Sequence, residues 1–358
     1  MAQLISKAPG RVCLFGDHQD YLELPIIACA INRYIQIKGS PNHSDYLTFN
    51  LPDLDTQQII ALHIATIPFK KGDHLVAALR VVSRYGCIPD CGYDITIQGD
   101  IPINAGLSSS SAMLVAWVQW LLHTFGCNQE ITPTLIGKLA YEAEVVEQDS
   151  PGGKMDQYTS AIGNIIYLET DDRSAIQKLD TQLEGLLIGE SGIPKDTLGL
   201  LGNLKENALA ALAKVKEQYP DFDLAKADIS SYKTYKNFLP VGLQTYFYAA
   251  IQNHLITQEA LIALREKKLD YHHIGKLINH HHSVLKDILG ITVPRIDAMV
   301  DAALKAGAYG AKIVGSGGGG SIVALAPPDK CDTICTAIKK AGAVAAYPIG
   351  ISTGAQIL

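Results

Sequence analysis

The run Lys312-Ile-Val-Gly315-Ser-Gly317-Gly-Gly-Gly320-Ser321 constrains the fold more than any other stretch of the chain. It formally contains GxGxxG, the fingerprint of a dinucleotide-binding loop, but such a loop must pass from a strand into a helix so that the helix dipole meets a pyrophosphate. Here Gly320 is followed by Ser321-Ile-Val-Ala-Leu, a second apolar strand. The loop therefore joins two strands, which speaks against a dinucleotide oxidoreductase. Five glycines among six residues let the backbone take up positive φ and approach another group closely, whereas a plain hairpin needs only one or two.

A second loop has the opposite grammar. Pro102-Ile-Asn-Ala-Gly106-Leu107-Ser108-Ser109-Ser110-Ser111 runs directly into AMLVAWVQWLLHTF, a strongly apolar helix. A helix N-terminus presents unpaired N–H groups and the positive end of the dipole, and serines there add hydroxyl donors and cation ligands. One serine would suffice for ordinary capping, so four in succession point to a phosphate cradle. It is not a Walker A loop, because no Gly-Lys in the chain is followed by Ser or Thr, and no HRD or DFG of a protein kinase occurs.

With 358 residues the chain exceeds what one core usually organises, so two domains with a cleft between them are expected. Its 47% hydrophobic and 18% charged residues are those of an ordinary globular protein. The net charge is −6 and the Lys and Arg residues are scattered, so nucleic acid is not an expected partner. The N-terminus lacks an apolar h-region, and no stretch approaches the roughly 18 apolar residues of a membrane span. No membrane association is expected, and the protein reads as cytoplasmic. Seven cysteines without a matching metal-ligand spacing read as reduced packing residues. Oligomeric state is left open.

Residues 1–65 mix short β-rich runs at 4–7, 12–15, 34–38 and 59–64, predicting an antiparallel sheet. Helical patterns follow at 74–85, 109–124, 133–148 and 154–162, with strand-like runs at 93–98 and 164–168, so this half reads as α+β. The second half carries amphipathic patterns at 197–217, 243–266, 270–288 and 295–306, then a strand–loop–strand unit at 311–325 and a last helix–strand pair. We place the domains at 1–185 and 186–358.

Three further places carry candidate chemistry. Gly16-Asp17-His18-Gln19-Asp20-Tyr21 crowds two carboxylates and an imidazole into one turn, which suits a solvated loop, a metal site or a polyol site. Asp156 follows Pro151-Gly152-Gly153-Lys154-Met155 near the start of a helix, as either a cap or a catalytic acid. Glu142, Glu144 and Glu147 share the preceding helix. Adjacent residues on a helix point about 100° apart, so His280, His281 and His282 cannot all converge on one metal.

Taken together these segments resemble the GHMP kinases, which act on galactose, homoserine, mevalonate and phosphomevalonate. PxxxGLSSSxA is similar to the family's central nucleotide-binding motif. This resemblance implies that Gly106, Leu107, Ser108, Ser109, Ser110 and Ser111 hold ATP, with Ser110 matching the Mg²⁺-binding serine and Ser109 or Ser111 as substitutes. KxxGSGGGGS is similar to the third motif, which supports the nucleotide loop and lies beside the phosphates, with Gly317 and Gly318 at the nucleotide. Glu144 matches the carboxylate that ligates Mg²⁺. The segment from Gly275 to Asp297 lies without gaps on a pattern shared across the family.

Within the family, GRVxLxGxHxDY at 10–21 looks like the galactokinase signature GRVNLIGEHTDY, and GGKMDQ resembles the galactokinase GIMDQ. Position by position this implies that Asp17, His18 and Asp20 hold sugar hydroxyls, with Gly153 beside them. Asp156 then faces the reacting hydroxyl, and Arg11 lies beside the transferred phosphate. Cys13, Asp17 and Gln19 depart from the signature and are expected to alter polarity or reach near the sugar. The stretch YLELP is two residues shorter than its counterpart. The implied fold is α+β, with an N-terminal mixed α/β domain, a C-terminal ferredoxin-like domain and the active site between them. The implied reaction is ATP- and Mg²⁺-dependent phosphorylation of the anomeric hydroxyl of galactose or a galactose-like sugar. Alternatives are another GHMP substrate (mevalonate, homoserine or a heptose phosphate) and a non-enzymatic sugar and ATP sensor.

Overall fold

The computed structural model of the chain describes residues 4–63, 69–195 and 199–358. The first half supplies strands β1 (Leu4–Phe15), β2 (Ile26–Pro41), β3 (Tyr46–Leu51), β4 (Thr56–Ala61), β5 (Tyr93–Gly99), β6 (Ile165–Leu168) and β7 (Ile176–Leu179) to an eight-stranded sheet. The runs expected at 4–7 and 12–15 are one strand, paired with β2 from Leu4 opposite Gly39 to Phe15 opposite Ile27. Its register shifts between Pro9 and Arg11, and such an irregularity re-aims the adjoining side chain. The expected antiparallel sheet has one exception, since β3 and β5 run parallel. The run expected at 59–64 falls in β4, which ends at Ala61; Ile64 lies outside the described residues.

Helices α1 (His74–Ser83), α2 (Ser109–Phe125), α3 (Pro133–Tyr141) and α4 (Met155–Ile162) belong to this half. A helix apolar on every side must be covered on every side, and α2 is packed by α1, α3, α4, β1 and β2. Its Trp117 and Trp120 are fully buried and stacked with ring centroids 5.3 Å apart. Their indole N–H groups donate to Leu75 O and Leu4 O, each at 3.3 Å, so neither polar atom is stranded. The helix predicted over 133–148 is not uniform: it widens at Glu142–Val146 into a π-helical turn, closed by Glu147 N donating to Glu142 O at 2.8 Å.

The second half begins with β8 (Leu186–Glu190) and continues through α5 (Gly199–Gln218), α6 (Ile229–Tyr235), α7 (Val241–Arg265), α8 (Tyr271–Ser283) and α9 (Pro294–Lys305). β9 (Gly310–Val314), β10 (Ser321–Leu325), α10 (Cys331–Lys340) and β11 (Ala345–Pro348) follow. Of the helix expected from 197, residues 197 and 198 lie outside the described residues. The four strands form an antiparallel sheet in the order β11-β8-β10-β9, the ferredoxin-like arrangement. Leu186, Ile188, Val323 and Leu325 face a core shared with Leu264, Ile274 and Leu277 of α7 and α8. Leu187, Ile313, Ile322 and Ala324 face a second core with Met299, Ile334 and Ile338 of α9 and α10. A sheet covered on both faces needs continuous apolar strands, which is what LLIGE, GAKIV and SIVAL are.

Five elements escaped the sequence reading: β3, β7, β8, α6 and β12. The short helix α6 is closed by a capping box between Asp228 and Ser231. Strand β12 (Gln356–Ile357) pairs antiparallel with β1, and Ser352 N donates to Ala30 O at 2.9 Å. The last residues of the expected 186–358 unit thus pair with the first sheet. Among the described residues no helix is long and apolar enough to cross a membrane, and all seven cysteines are free thiols.

Candidate active site

A cavity of about 720 Å³ opens where the first sheet, the serine-rich loop and the glycine loop meet. That volume suits a small molecule and its co-substrate. Arg11, at the register shift of β1, sends its buried side chain toward the start of α4. Its Nε and Nη2 donate to the two carboxylate oxygens of Asp156, both at 2.7 Å, and Nη1 donates to Gly106 O at 2.7 Å. Ser108 Oγ donates to Asp156 Oδ2 at 2.6 Å. The Asp156 side chain keeps 24% exposure and lines the cavity. Burial opposes its ionisation, but Arg11 and the Ser108 hydroxyl outweigh that and hold its pKa below the usual carboxylate range.

Neither ordinary capping alternative survives. Ser108 precedes α2 with φ +61° and its side chain caps nothing, because it is spent on Asp156. Asp156 lies inside α4, whose start at Lys154 has no side-chain cap. Of the serine-rich loop, Ser110 and Ser111 line the cavity. Gly106, Leu107, Ser108 and Ser109 stand behind them, with Leu107 buried in the core and its carbonyl accepting from Arg11 N at 3.2 Å.

The π-helical turn separates the three glutamates. Glu142 accepts from Tyr85 Oη at 3.0 Å, and Glu147 pairs with Arg80 and Arg84. Glu144 alone of the three lines the cavity, where Ser110 Oγ donates to its Oε1 at 2.8 Å and Gln157 Nε2 to its Oε2 at 2.6 Å. An adjoining hydroxyl and carboxylate are hard oxygen donors that fit Mg²⁺. No cluster of three or more His, Cys, Asp or Glu suited to a metal exists among the described residues, and on α8 His280 is exposed while His281 and His282 are buried.

The turn after β1 brings Asp17, His18 and Asp20 to the same cavity. The Asp17 carboxylate, 2% exposed where it lines the cavity, accepts from Lys312 Nζ at 2.6 Å and lies 3.9 Å from His281 Nε2, so it also clasps the glycine-loop strand. Lys312, fully buried, also donates to Cys13 O and Ile313 O at 3.0 and 2.9 Å. Burial opposes Asp17 ionisation, and Lys312 with His281 still keeps its pKa below the usual value. His18 holds a left-handed φ of +62°; burial lowers its pKa to about 4, so the imidazole is neutral at pH 7. Asp20 is the reverse case, raised to about 6 by burial and by the nearby Asp156 charge. Gly153 is explained by Asp20, since a Cβ there would overlap its carboxylate.

Two of the signature departures lie away from the cavity. Cys13 Sγ points into a buried cluster with Ile26, Ala28 and Met155. Gln19 is fully buried, donating to Pro25 O and to Thr257 Oγ1 of α7. Gly317 and Gly318 also fall away from it: Gly317 abuts Ile291, and Gly318 N donates to Ile291 O at 2.8 Å. Gly315 and Ser316 line the cavity instead. All five glycines of the loop have positive φ, which lets Ser321 Oγ reach Ala105 O at 2.7 Å and brace the serine-rich loop.

The profile of the GHMP kinases N terminal domain matches residues 73–164, that of the GHMP kinases C terminal domain matches 259–346, and the galactokinase galactose-binding signature matches 2–41. The galactokinase of Pasteurella multocida is 30% identical over 345 residues, spanning 91% of this chain and 86% of its own. The chain belongs to the GHMP kinase family. This GHMP kinase is also 28% identical to the mevalonate kinase of Thermococcus sibiricus over 349 residues, covering 95% of this chain and 94% of that one. Its fold superposes on Lactococcus lactis galactokinase complexed with galactose with a TM-score of 0.90, at 19% identity, over 99% and 95% of the two chains. For Methanococcus jannaschii mevalonate kinase the TM-score is 0.73, at 22% identity, over 98% and 99%.

Sequence reasoning missed one cation of this GHMP kinase. Lys195, in the segment between β8 and α5, lines the cavity near Asp156, Arg11 and Glu144. Nothing in the polar stretch Ser191-Gly-Ile-Pro-Lys195 marks it, because the residues it approaches are distant in sequence.

Proposed function

We propose that this chain transfers the γ-phosphoryl group of ATP to the anomeric hydroxyl of galactose or a galactose-like sugar, giving the sugar 1-phosphate. The observation that carries this reading is one cavity lined both by Arg11 and Asp156, which Ser108 braces from behind, and by the His18–Asp20 turn. The match of residues 2–41 to a galactose-binding signature supports the choice of sugar.

In this reading Asp20 accepts hydrogen bonds from vicinal sugar hydroxyls, which a carboxylate does well, and neutral His18 adds an imidazole contact. Asp156, held ionised by Arg11, accepts the hydrogen bond of the reacting hydroxyl. Its lowered pKa makes it weak as a base, so it orients the oxygen for in-line attack and takes the proton only as the bond to phosphorus forms. The serine-rich loop at the start of α2 directs backbone N–H groups at the nucleotide phosphates. Ser110 and Glu144 would hold Mg²⁺, which supplies charge neutralisation at the phosphates. Phosphoryl transfer depends chiefly on such positioning.

Asp156→Asn keeps the shape of the site and removes the charge. We expect ATP-dependent sugar phosphorylation, followed by ADP release, to fall by about 10²- to 10⁴-fold. A variant within about tenfold of the parent removes Asp156 from the reaction. A second acceptor class, mevalonate, is supported by the 28% identity to the Thermococcus enzyme. Turnover of mevalonate with none on free hexoses decides for it, and calorimetric binding of sugar and ATP without ADP formation decides for a sensor.

A further inference from the structure

The turn that carries His18 and Asp20 holds a conformation it would not choose alone. Gly16 and His18, on either side of Asp17, both take left-handed φ values, +96° and +62°. A histidine stays there only where its surroundings over-determine it. Inside the turn Leu22 N and Leu24 N donate to Gln19 O at 3.0 and 3.2 Å, which orders the residues after His18 but not the peptide before it. That peptide is held from α7, where Asn253 Nδ2 donates to Asp17 O at 3.2 Å. Asn253 is 1% exposed and stands outside the cavity lining. An amide facing a carbonyl must present its NH2 group, so this orientation is the one its surroundings demand. One helical turn on, Thr257 Oγ1 donates to Asn253 O at 2.8 Å and accepts from Gln19 Nε2 at 3.4 Å, on the same face of α7.

We propose that Asn253 is a positioning residue for the acceptor: by holding the peptide between Asp17 and His18, it keeps the His18 imidazole turned into the cavity. The proposal rests on the kinase reading. Rotating φ of His18 out of the left-handed region swings that peptide plane, so Asp17 O cannot stay on Asn253 while the turn relaxes. The imidazole so held lines the cavity, with Nε2 buried and without a partner among the described residues and Nδ1 3.4 Å from Tyr21 Oη. A hydroxyl of the acceptor satisfies that nitrogen. Without Asn253, Asp17 O becomes a buried carbonyl that has lost its donor, and the turn gains by relaxing toward an ordinary φ. The imidazole then moves off the acceptor, while the clasp of Asp17 to Lys312 keeps the turn attached to β9. Ser110 and Glu144 lie on α2 and the π-helical turn, outside this relaxation.

The test is a double-mutant cycle read by steady-state kinetics. Asn253→Leu keeps the size of the side chain and removes the donor, and Asn253→Ala is the second variant because it adds no bulk. His18→Asn removes the imidazole but tolerates the left-handed region. We expect either Asn253 variant to raise the acceptor KM about five- to tenfold, with kcat within about threefold and the KM for ATP within about twofold. In the His18→Asn background the same substitution moves the acceptor KM by less than about twofold, because the group it positions is gone. An unchanged acceptor KM overturns the proposal, as does an equal rise in the His18→Asn background. So does a loss shared among kcat and both KM values, the mark of a merely structural role, and so does failure of both variants to fold. A wild type that turns over mevalonate and no hexose overturns the sugar assignment alone, and the cycle is then read on the mevalonate KM. A wild type inactive on sugars, mevalonate and the other GHMP acceptors overturns the kinase reading, and the proposal with it.

Discussion

At the scale of single residues, two carboxylates in one cavity are pushed in opposite directions, and this has a signed consequence. Asp156 lies below the usual value because of Arg11, and Asp20 is raised to about 6. A carboxyl with a raised folded pKa contributes stability that is complete below its unfolded value and lost as pH rises through the folded one. Asp20→Asn is therefore more thermostable than wild type at pH 8, and this advantage vanishes by about pH 4. Sugar binding has the opposite demand, because only the carboxylate accepts from hydroxyls freely. The KM for sugar should climb on the acid side of pH 6 in the wild type and lose that limb in Asp20→Asn, as steady-state pH profiles would read. An acid limb that survives in Asp20→Asn assigns it elsewhere. Asp17 and Asp156 behave conversely, losing their stabilising contribution as pH falls below the carboxylate range.

At the scale of elements, the buried pair of Asp17 and Lys312 ties the turn after β1 to β9. Removing one partner leaves an uncompensated buried charge, so Lys312→Met should destabilise the protein by about 3–5 kcal/mol. Adding Asp17→Asn should restore most of that loss, as thermal or denaturant unfolding would measure; additive losses would contradict the pairing. Such a contact spans 295 residues of sequence, so no local pattern announces it. The strand–loop–strand reading of 311–325 and the helix after the serines were legible, because each rests on local periodicity. The π-helical turn was not, since Glu142, Glu144 and Glu147 differ only in partners supplied by distant residues: Tyr85, Ser110 and Arg84. Cys13 and Gln19 were expected near the sugar for the same reason. A linear motif shows proximity in sequence, whereas the pleat of β1 and the packing of α7 decide which side faces the cavity.

At the scale of the whole molecule, the fold class and the main residues of the cavity followed from motif order along the chain. Lys195 and the return of β12 to the first sheet required three dimensions. The cavity lies where the two halves meet, with Arg11 and Asp156 from one half and Lys195 and Gly315 from the other. The central claim is that this arrangement phosphorylates the anomeric oxygen of a galactose-like sugar. Phosphorus and carbon NMR of a mixture of galactose, ATP, Mg²⁺ and the purified protein tests it most directly. The account predicts a new sugar phosphate with coupling to the anomeric carbon, formed in step with ADP. Turnover of mevalonate with no hexose phosphate, or no phosphate transfer to any sugar in a broad panel, would contradict it.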